Sequence, residues 1–279
     1  EVMIQLRSRS RTASAISAPC GATLRHPSLA SSMVEVRHSE ITWRLFDLGF
    51  SPFRAMHLRA TRFGGVWPEP IDGRPLVLVA NHISWWDGFL LREIQRRVRP
   101  GRPFHTVVVE HLLDMHPMLR RLGGIPIRPD SPSSVLGMLR TFARLRAREA
   151  NTVFSYFPQG RVWPSSRRPL GLRRGIEAVG RILAPARIVP VSIHIEPVVH
   201  IRPTPFLWLG QPVDALPDAP VATELLAERI EAGLDQIRER LDGWGEDVNA
   251  EWPDALDPHT AHLRSGPDAG PESTFAHTT

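Results

Sequence analysis

The chain has 279 residues, 42% of them hydrophobic, with 34 Lys+Arg against 29 Asp+Glu and a formal net charge of +5. That apolar share excludes a chain disordered throughout. The single cysteine, Cys20, excludes an internal disulfide or a cysteine-built metal cluster, and no uninterrupted apolar run approaches the ~18 residues of a spanning helix. All the basic side chains apart from histidine are arginine, a bias that GC-rich coding also produces. Arginine keeps its charge and grips phosphate in a bidentate fork. The positive balance favours an anionic partner: nucleic acid, an acidic membrane surface or a phosphorylated substrate.

Residues 1–32, rich in Ser, Arg, Ala and Pro without an apolar period, read as a disordered basic tail. Arg7, Arg9 and Arg11 are followed by no apolar core of a secretory signal, and Met33 stands as a candidate start. Residues 249–279, rich in Pro, Asp, Gly and Thr, read as a second disordered tail, leaving 33–248 as one α/β domain.

From about 39 to 62, Trp43, Phe46, Phe50 and Phe53 alternate with Arg44, Arg54, Arg59 and Arg62, and Pro52 is expected to divide the segment into two short amphipathic helices. Aromatics interleaved with arginine suit a bilayer interface, and equally suit a helix laid over the core. Leu76–Ala80 (LVLVA) is a buried strand, followed by a helix over about 85–98 and a strand at Thr106–Val109. A short helix at His116–Leu122, a strand at Gly124–Ile127 and a long helix at Pro132–Arg148 come next. Strands at Thr152–Phe157 and Ile188–Ile195 flank a helix at Gly175–Leu183, with a further strand at Phe206–Leu209 and a closing helix at Val221–Leu241. Strands separated by helices predict a central, largely parallel sheet with helices on both faces. In such sheets the ligand crevice lies beyond the carboxyl ends of the strands.

Asn81-His82-Ile83-Ser84-Trp85-Trp86-Asp87 begins at that end of the Leu76–Ala80 strand. Four residues between His82 and Asp87 let the chain reverse, so the carboxylate can fold onto the imidazole. It would fix the tautomer and leave the second ring nitrogen as a base. The same spacing also fits a helix cap with His82 filling a turn. Ser84 lies in no GxSxG elbow, which disfavours a Ser-His-Asp hydrolase. His105, His111, His116 and His194 show no paired metal-ligand spacing, and no metal is expected.

NHISWWD resembles the NHxxxxD signature of the glycerolipid acyltransferase superfamily, whose best-known members are the 1-acyl-glycerol-3-phosphate acyltransferases. Three further blocks follow in that family's order: Glu110-His-Leu-Leu with Leu122-Gly-Gly-Ile-Pro-Ile-Arg128, Phe157-Pro-Gln-Gly-Arg161 with Leu172-Arg-Arg-Gly175, and Ile188-Val-Pro-Val-Ser192. The resemblance implies an acyltransferase domain over 33–248. His82 would be its general base and Asp87 would orient it, with no covalent enzyme intermediate. The donor would be acyl-CoA or acyl-carrier protein and the acceptor a lysolipid such as lysophosphatidate. No cofactor is implied. The expected location is the cytoplasmic face of a membrane, peripheral or monotopic, with the 39–62 segment at the interface.

The family's third block usually reads FPEGTR, so Arg128, Gln159, Gly160, Arg161 and Arg174 are the expected substrate-binding residues. Gln159 stands where the family has Glu, Arg161 stands one place early, and Arg128 is likewise displaced by one with Pro129 at the usual position. A one-residue shift in a strand turns a side chain to the other face. A lipid alcohol other than lysophosphatidate (an aminolipid or glycolipid) is therefore the alternative acceptor. A nucleic-acid partner is not expected, because the basic residues are spread along the chain and the aromatics fall in apolar runs rather than on a stacking platform.

Overall fold

The computed structural model describes residue 36, residues 38–69, 73–197 and 200–243, and residue 252. The tails expected at 1–32 and 249–279 lie outside the described residues, Trp252 excepted. Trp252 is buried against Phe206 and Trp208.

Helix α1 spans Glu40–His57; its N-cap Ser39 accepts from Thr42 N–H at 3.2 Å, and Glu40 sits in the first turn, where the helix dipole favours an anion. The helix runs unbroken through Pro52, against the expectation of two short helices. Proline removes one backbone bond, a loss of roughly 3 kcal/mol in a free helix. Packing offsets that loss. Phe46 and Phe50 before the proline and Phe53 after it all join one aromatic cluster with Trp85, Trp86 and Phe89. The Arg92 guanidinium also lies 4.3 Å over the Trp43 ring, and Arg54 pairs with Glu93 at 2.8 Å.

Arg62–Gly65 then forms strand β1, an element not expected from the sequence, whose helical segment ended at about Arg62. The remaining elements are β2 (Leu76–Ala80), α2 (Asp87–Val98), β3 (Phe104–Val109), α3 (Glu110–Met115), α4 (Met118–Arg121), β4 (Gly124–Ile127), α5 (Pro132–Arg148), β5 (Val153–Tyr156), α6 (Gly175–Leu183), β6 (Ala186–Glu196), β7 (Thr204–Leu209), β8 (Val213–Ala215) and α7 (Thr223–Gly243). The strands form one sheet in the order β1-β7-β6-β2-β5-β3-β4, with β8 on β6. Pairings across β1/β7, β6/β2, β2/β5, β5/β3 and β3/β4 are parallel, while β7 and β8 run antiparallel to β6.

Side chains alternate across a strand, and β2 shows what that does here. Val77 and Val79 face the layer of α5, α6 and α7, beside Phe142, Ile176 and Leu226. Leu76, Leu78 and Ala80 face the opposite layer with α2 and Trp43 of α1. Being buried on both faces, β2 reads as continuously apolar, as a strand inside a parallel sheet must. Proline inside a central strand is uncommon because it donates no ladder bond. Pro190 of β6 is tolerated because it falls in the gap between the β8 pairing (186–188) and the β7 pairing (191–196).

β2, β5 and β6 run in one direction, so the turn after β2 and the segment after β5 open on one edge. Val79 stands beside Tyr156 in the β2/β5 register, which brings residues 81–87 and 157–163 together.

Candidate active site

The turn after β2 is shaped by side chains rather than by a standard hairpin. Asn81 is buried, and its amide pairs with the backbone of Ile193: Nδ2 donates to the carbonyl at 2.9 Å and Oδ1 accepts from N–H at 2.7 Å. The pair extends the β2/β6 ladder by one residue after β2 has ended and fixes where His82 leaves the sheet.

His82 is then held at its backbone, at Nδ1 and on one ring face. Its Nδ1 lies 2.7 Å from Asp87 Oδ2, its N–H donates to Gln159 Oε1 at 2.7 Å, and its carbonyl accepts from Trp163 N–H at 2.8 Å. The ring stacks on Phe157, with centroids 4.5 Å apart and planes inclined by 23°. No protein group among the described residues bonds its Nε2, and the side chain stays 23% exposed.

Asp87 is 0% exposed, and four donors converge on it. Oδ2 accepts from His82 Nδ1, Ile83 N–H at 2.7 Å and Ser84 N–H at 3.0 Å, while Oδ1 accepts Ser84 Oγ–H at 2.5 Å. A carboxylate oxygen with two N–H donors already on it can only accept from the ring, so Nδ1 carries the hydrogen and Nε2 presents its lone pair. Asp87 also begins α2, at the end of the helix where the macrodipole favours negative charge. The arrangement can take a proton from a hydroxyl brought to Nε2. Sequence spacing had left a cap and a base as alternatives; α2 has no side-chain cap bond, and Asp87 instead folds back onto the turn and the imidazole.

The expected substrate-binding residues are distributed differently. Gln159 is 3% exposed, with Oε1 on His82 N–H and Nε2 donating to the Leu170 carbonyl at 2.9 Å. Gly160 takes φ +69°, and a Cβ there would come within 3.2 Å of Arg173 Nε, so this glycine serves both the turn and the close side chain. Arg161 lies with its guanidinium 4.0 Å over the Trp163 ring. Arg128 pairs with Glu110 at 3.0 Å, and Arg174 with Glu224 of α7 at 3.4 Å, both on the surface.

Several contacts were not foreseen from sequence. Phe157 carries the His82 ring, Trp163 holds its carbonyl, and Arg167 lies 3.6 Å over the same indole as Arg161. No acidic partner is seen for Arg161 or Arg167 among the described residues. Arg173, not Arg174, reaches over Gly160, and it also pairs with Asp130 at 3.4 Å. The one available signal was the aromatic after a strand, Phe157. It has meaning only once β5 is known to neighbour β2.

Residues 63–194 match the Acyltransferase family model. No curated protein matches the chain. Among solved structures, one similar chain is the 1-acyl-sn-glycerophosphate (LPA) acyltransferase PlsC from Thermotoga maritima, at 18% identity and a TM-score of 0.45, covering 76% of this chain and 79% of that one. The family match runs from Phe63 in β1 to His194 in β6 and takes in His82, Asp87, Gln159 and Trp163, so the part of the chain that carries the site is similar to the Acyltransferase family.

Proposed function

We propose that the chain moves a fatty-acyl group from the thioester of acyl-CoA or acyl-carrier protein to the hydroxyl of a lysophospholipid such as lysophosphatidate, with His82 as general base and Asp87 orienting it. The observation that carries this reading is the His82–Asp87 pair at 2.7 Å, with Nε2 unbonded by protein among the described residues. Nε2 accepts the acceptor's hydroxyl proton as the alcohol oxygen attacks the thioester carbonyl. The tetrahedral intermediate then collapses, the C–S bond breaks, and the thiolate takes the proton back from His82 to leave as a free thiol. A positioned base of this kind contributes roughly 10²–10⁴-fold in rate. Arg161 and Arg167 on Trp163 supply cations close to His82 for a phosphate on either substrate.

The second reading changes the acceptor to another lipid alcohol. It is favoured by the pairing of Arg128 with Glu110 and of Arg174 with Glu224, which occupies two of the expected phosphate ligands. Exposed ion pairs of this sort are worth about 0–1 kcal/mol and exchange readily for a phosphate, so lysophosphatidate remains the first choice.

A membrane surface is the expected setting. Ile41, Leu45 and Leu48 of α1 are 73%, 66% and 75% exposed, and Met56 lies further along the same stripe. The opposite side of α1 covers Trp86 and Phe89 beside the His82 turn. A helix apolar on both sides has a second apolar phase to meet. No helix among the described residues is long and apolar enough to cross a membrane.

The test supplies the purified protein with acyl-CoA or acyl-carrier protein and a panel of lysophosphatidate, lyso-aminolipid and glycolipid acceptors, the products being read by mass spectrometry. Acylated lysophosphatidate is expected, and none from folded His82→Ala. Turnover of another acceptor alone would select the second reading. Near-normal turnover by folded His82→Ala would remove His82 as the base.

A further inference from the structure

The turn bearing His82 is locked by a side chain that the family resemblance assigned to substrate. Both polar atoms of Gln159 are consumed inside the protein: Oε1 accepts from His82 N–H and Nε2 donates to the Leu170 carbonyl. Leu170 N–H in turn donates to Glu231 Oε1 of α7 at 2.8 Å. The buried amide of Gln159 therefore ties the His82 turn to the 170 segment, which Glu231 in turn ties to α7.

We propose that Gln159 is a positioning residue for His82, and that its task requires a carboxamide. One terminal atom must accept while the other donates, which an ionised carboxylate cannot do. An ionised glutamate at 159 would keep the bond from His82 N–H and turn its second oxygen against the Leu170 carbonyl, acceptor facing acceptor. In a site this buried the unmatched carbonyl costs more than its bond was worth. The site would relax by moving the segment around Leu170, the His82 turn, or both.

His82 is sensitive to such a shift because its grip is concentrated there. Its N–H is bonded by Gln159, its carbonyl by Trp163, and its ring rests on Phe157, so three of its four fixed contacts come from residues 157–163. The fourth, Asp87, sets the tautomer and does not depend on Gln159. A displaced turn would carry a correctly protonated imidazole to the wrong place. The superfamily's usual Glu at this position makes the outcome directional: changing this chain toward the family pattern damages it.

The inference rests on His82 acting as the base. Gln159→Glu and Gln159→Met are compared with the unsubstituted protein, using acyl-CoA and whichever lysolipid the panel identifies, with thermal unfolding followed alongside. Met fills a similar volume without charge or hydrogen bonds. Both folded variants should lose about 10- to 100-fold in kcat, the scale of a mispositioned catalytic group, with the acceptor KM within about twofold of normal, since binding is not what has been removed. Gln159→Glu with unchanged or higher kcat overturns the proposal. A loss confined to KM does so too, by making Gln159 a substrate contact, and failure of both variants to fold does so by making it a folding residue. His82→Ala run beside them separates the levels: turnover without the imidazole sinks the base assignment, whereas a dead His82→Ala with an active Gln159→Glu sinks only this inference.

Discussion

Asp87 is asked to do two things at once, and the two can be taken apart by substitution. Its Oδ2 organises Ile83 N–H, Ser84 N–H and His82 Nδ1, and its charge supports a protonated ring when His82 has taken a proton. Asparagine can present an oxygen to the same three donors and an NH₂ to Ser84 Oγ, which can accept. Asp87→Asn should therefore fold with near-normal stability and lose on the order of 10²–10⁴-fold in turnover. Asp87→Ala strands buried N–H groups, each costing about 1–3 kcal/mol, and should lower the urea midpoint as well as turnover. An Asp87→Asn protein with unimpaired turnover would leave the carboxylate's charge without a catalytic part. At this scale part was legible: the four-residue interval between His82 and Asp87 allows their meeting, although the same interval also fits a helix cap. Gln159 was not, because a polar residue after a strand gives no sign of which neighbouring turn it will enter.

Helix α1 is the element whose two sides have different fates. Trp43, Phe46 and Phe50 face α2 and the residues after His82, while Ile41, Leu45 and Leu48 face outward. Replacing Leu45 and Leu48 together by Glu changes only highly exposed positions, and such changes usually stay within ±0.5 kcal/mol each. The variant should melt as the unsubstituted protein does, yet lose co-sedimentation with anionic liposomes. Unaltered sedimentation would discard α1 as the membrane contact. The apolar and arginine content of this segment was evident in the sequence, but its continuity through Pro52 was not, because the aromatic cluster that holds the two halves in line draws half its members from 85–89.

For the whole molecule, buried histidines make stability depend on pH. His105 on β3 is pushed down to about 4, first by burial and then by nearby His38, while its bond to the Gly123 carbonyl opposes the shift. The unfolded chain takes up that proton near 6.5 and the folded chain resists it until about 4, so the contribution is complete above 6.5 and is lost as the pH falls toward 4. The difference corresponds to on the order of 3 kcal/mol. His38 and His194, each lowered mainly by burial, add with the same sign. Urea midpoints taken from pH 7 to pH 4 should decline, and His105→Gln should flatten part of the slope. An unchanged slope in that variant would remove His105 as a source.

The sequence by itself determined the α/β class, most of the strands of the parallel core and the place of His82, because each depends on local pattern: apolar runs for strands buried on both faces, 3–4 periodicity for the covering helices, and a short interval for the His82–Asp87 pair. Only the tertiary structure decided which strands are neighbours. Seating β2 between β5 and β6 sets Phe157, Gln159 and Trp163 around His82 and Ile193 against Asn81. These contacts join residues 75 to 112 positions apart. Strand order is a property of the packed sheet, and no local propensity encodes it.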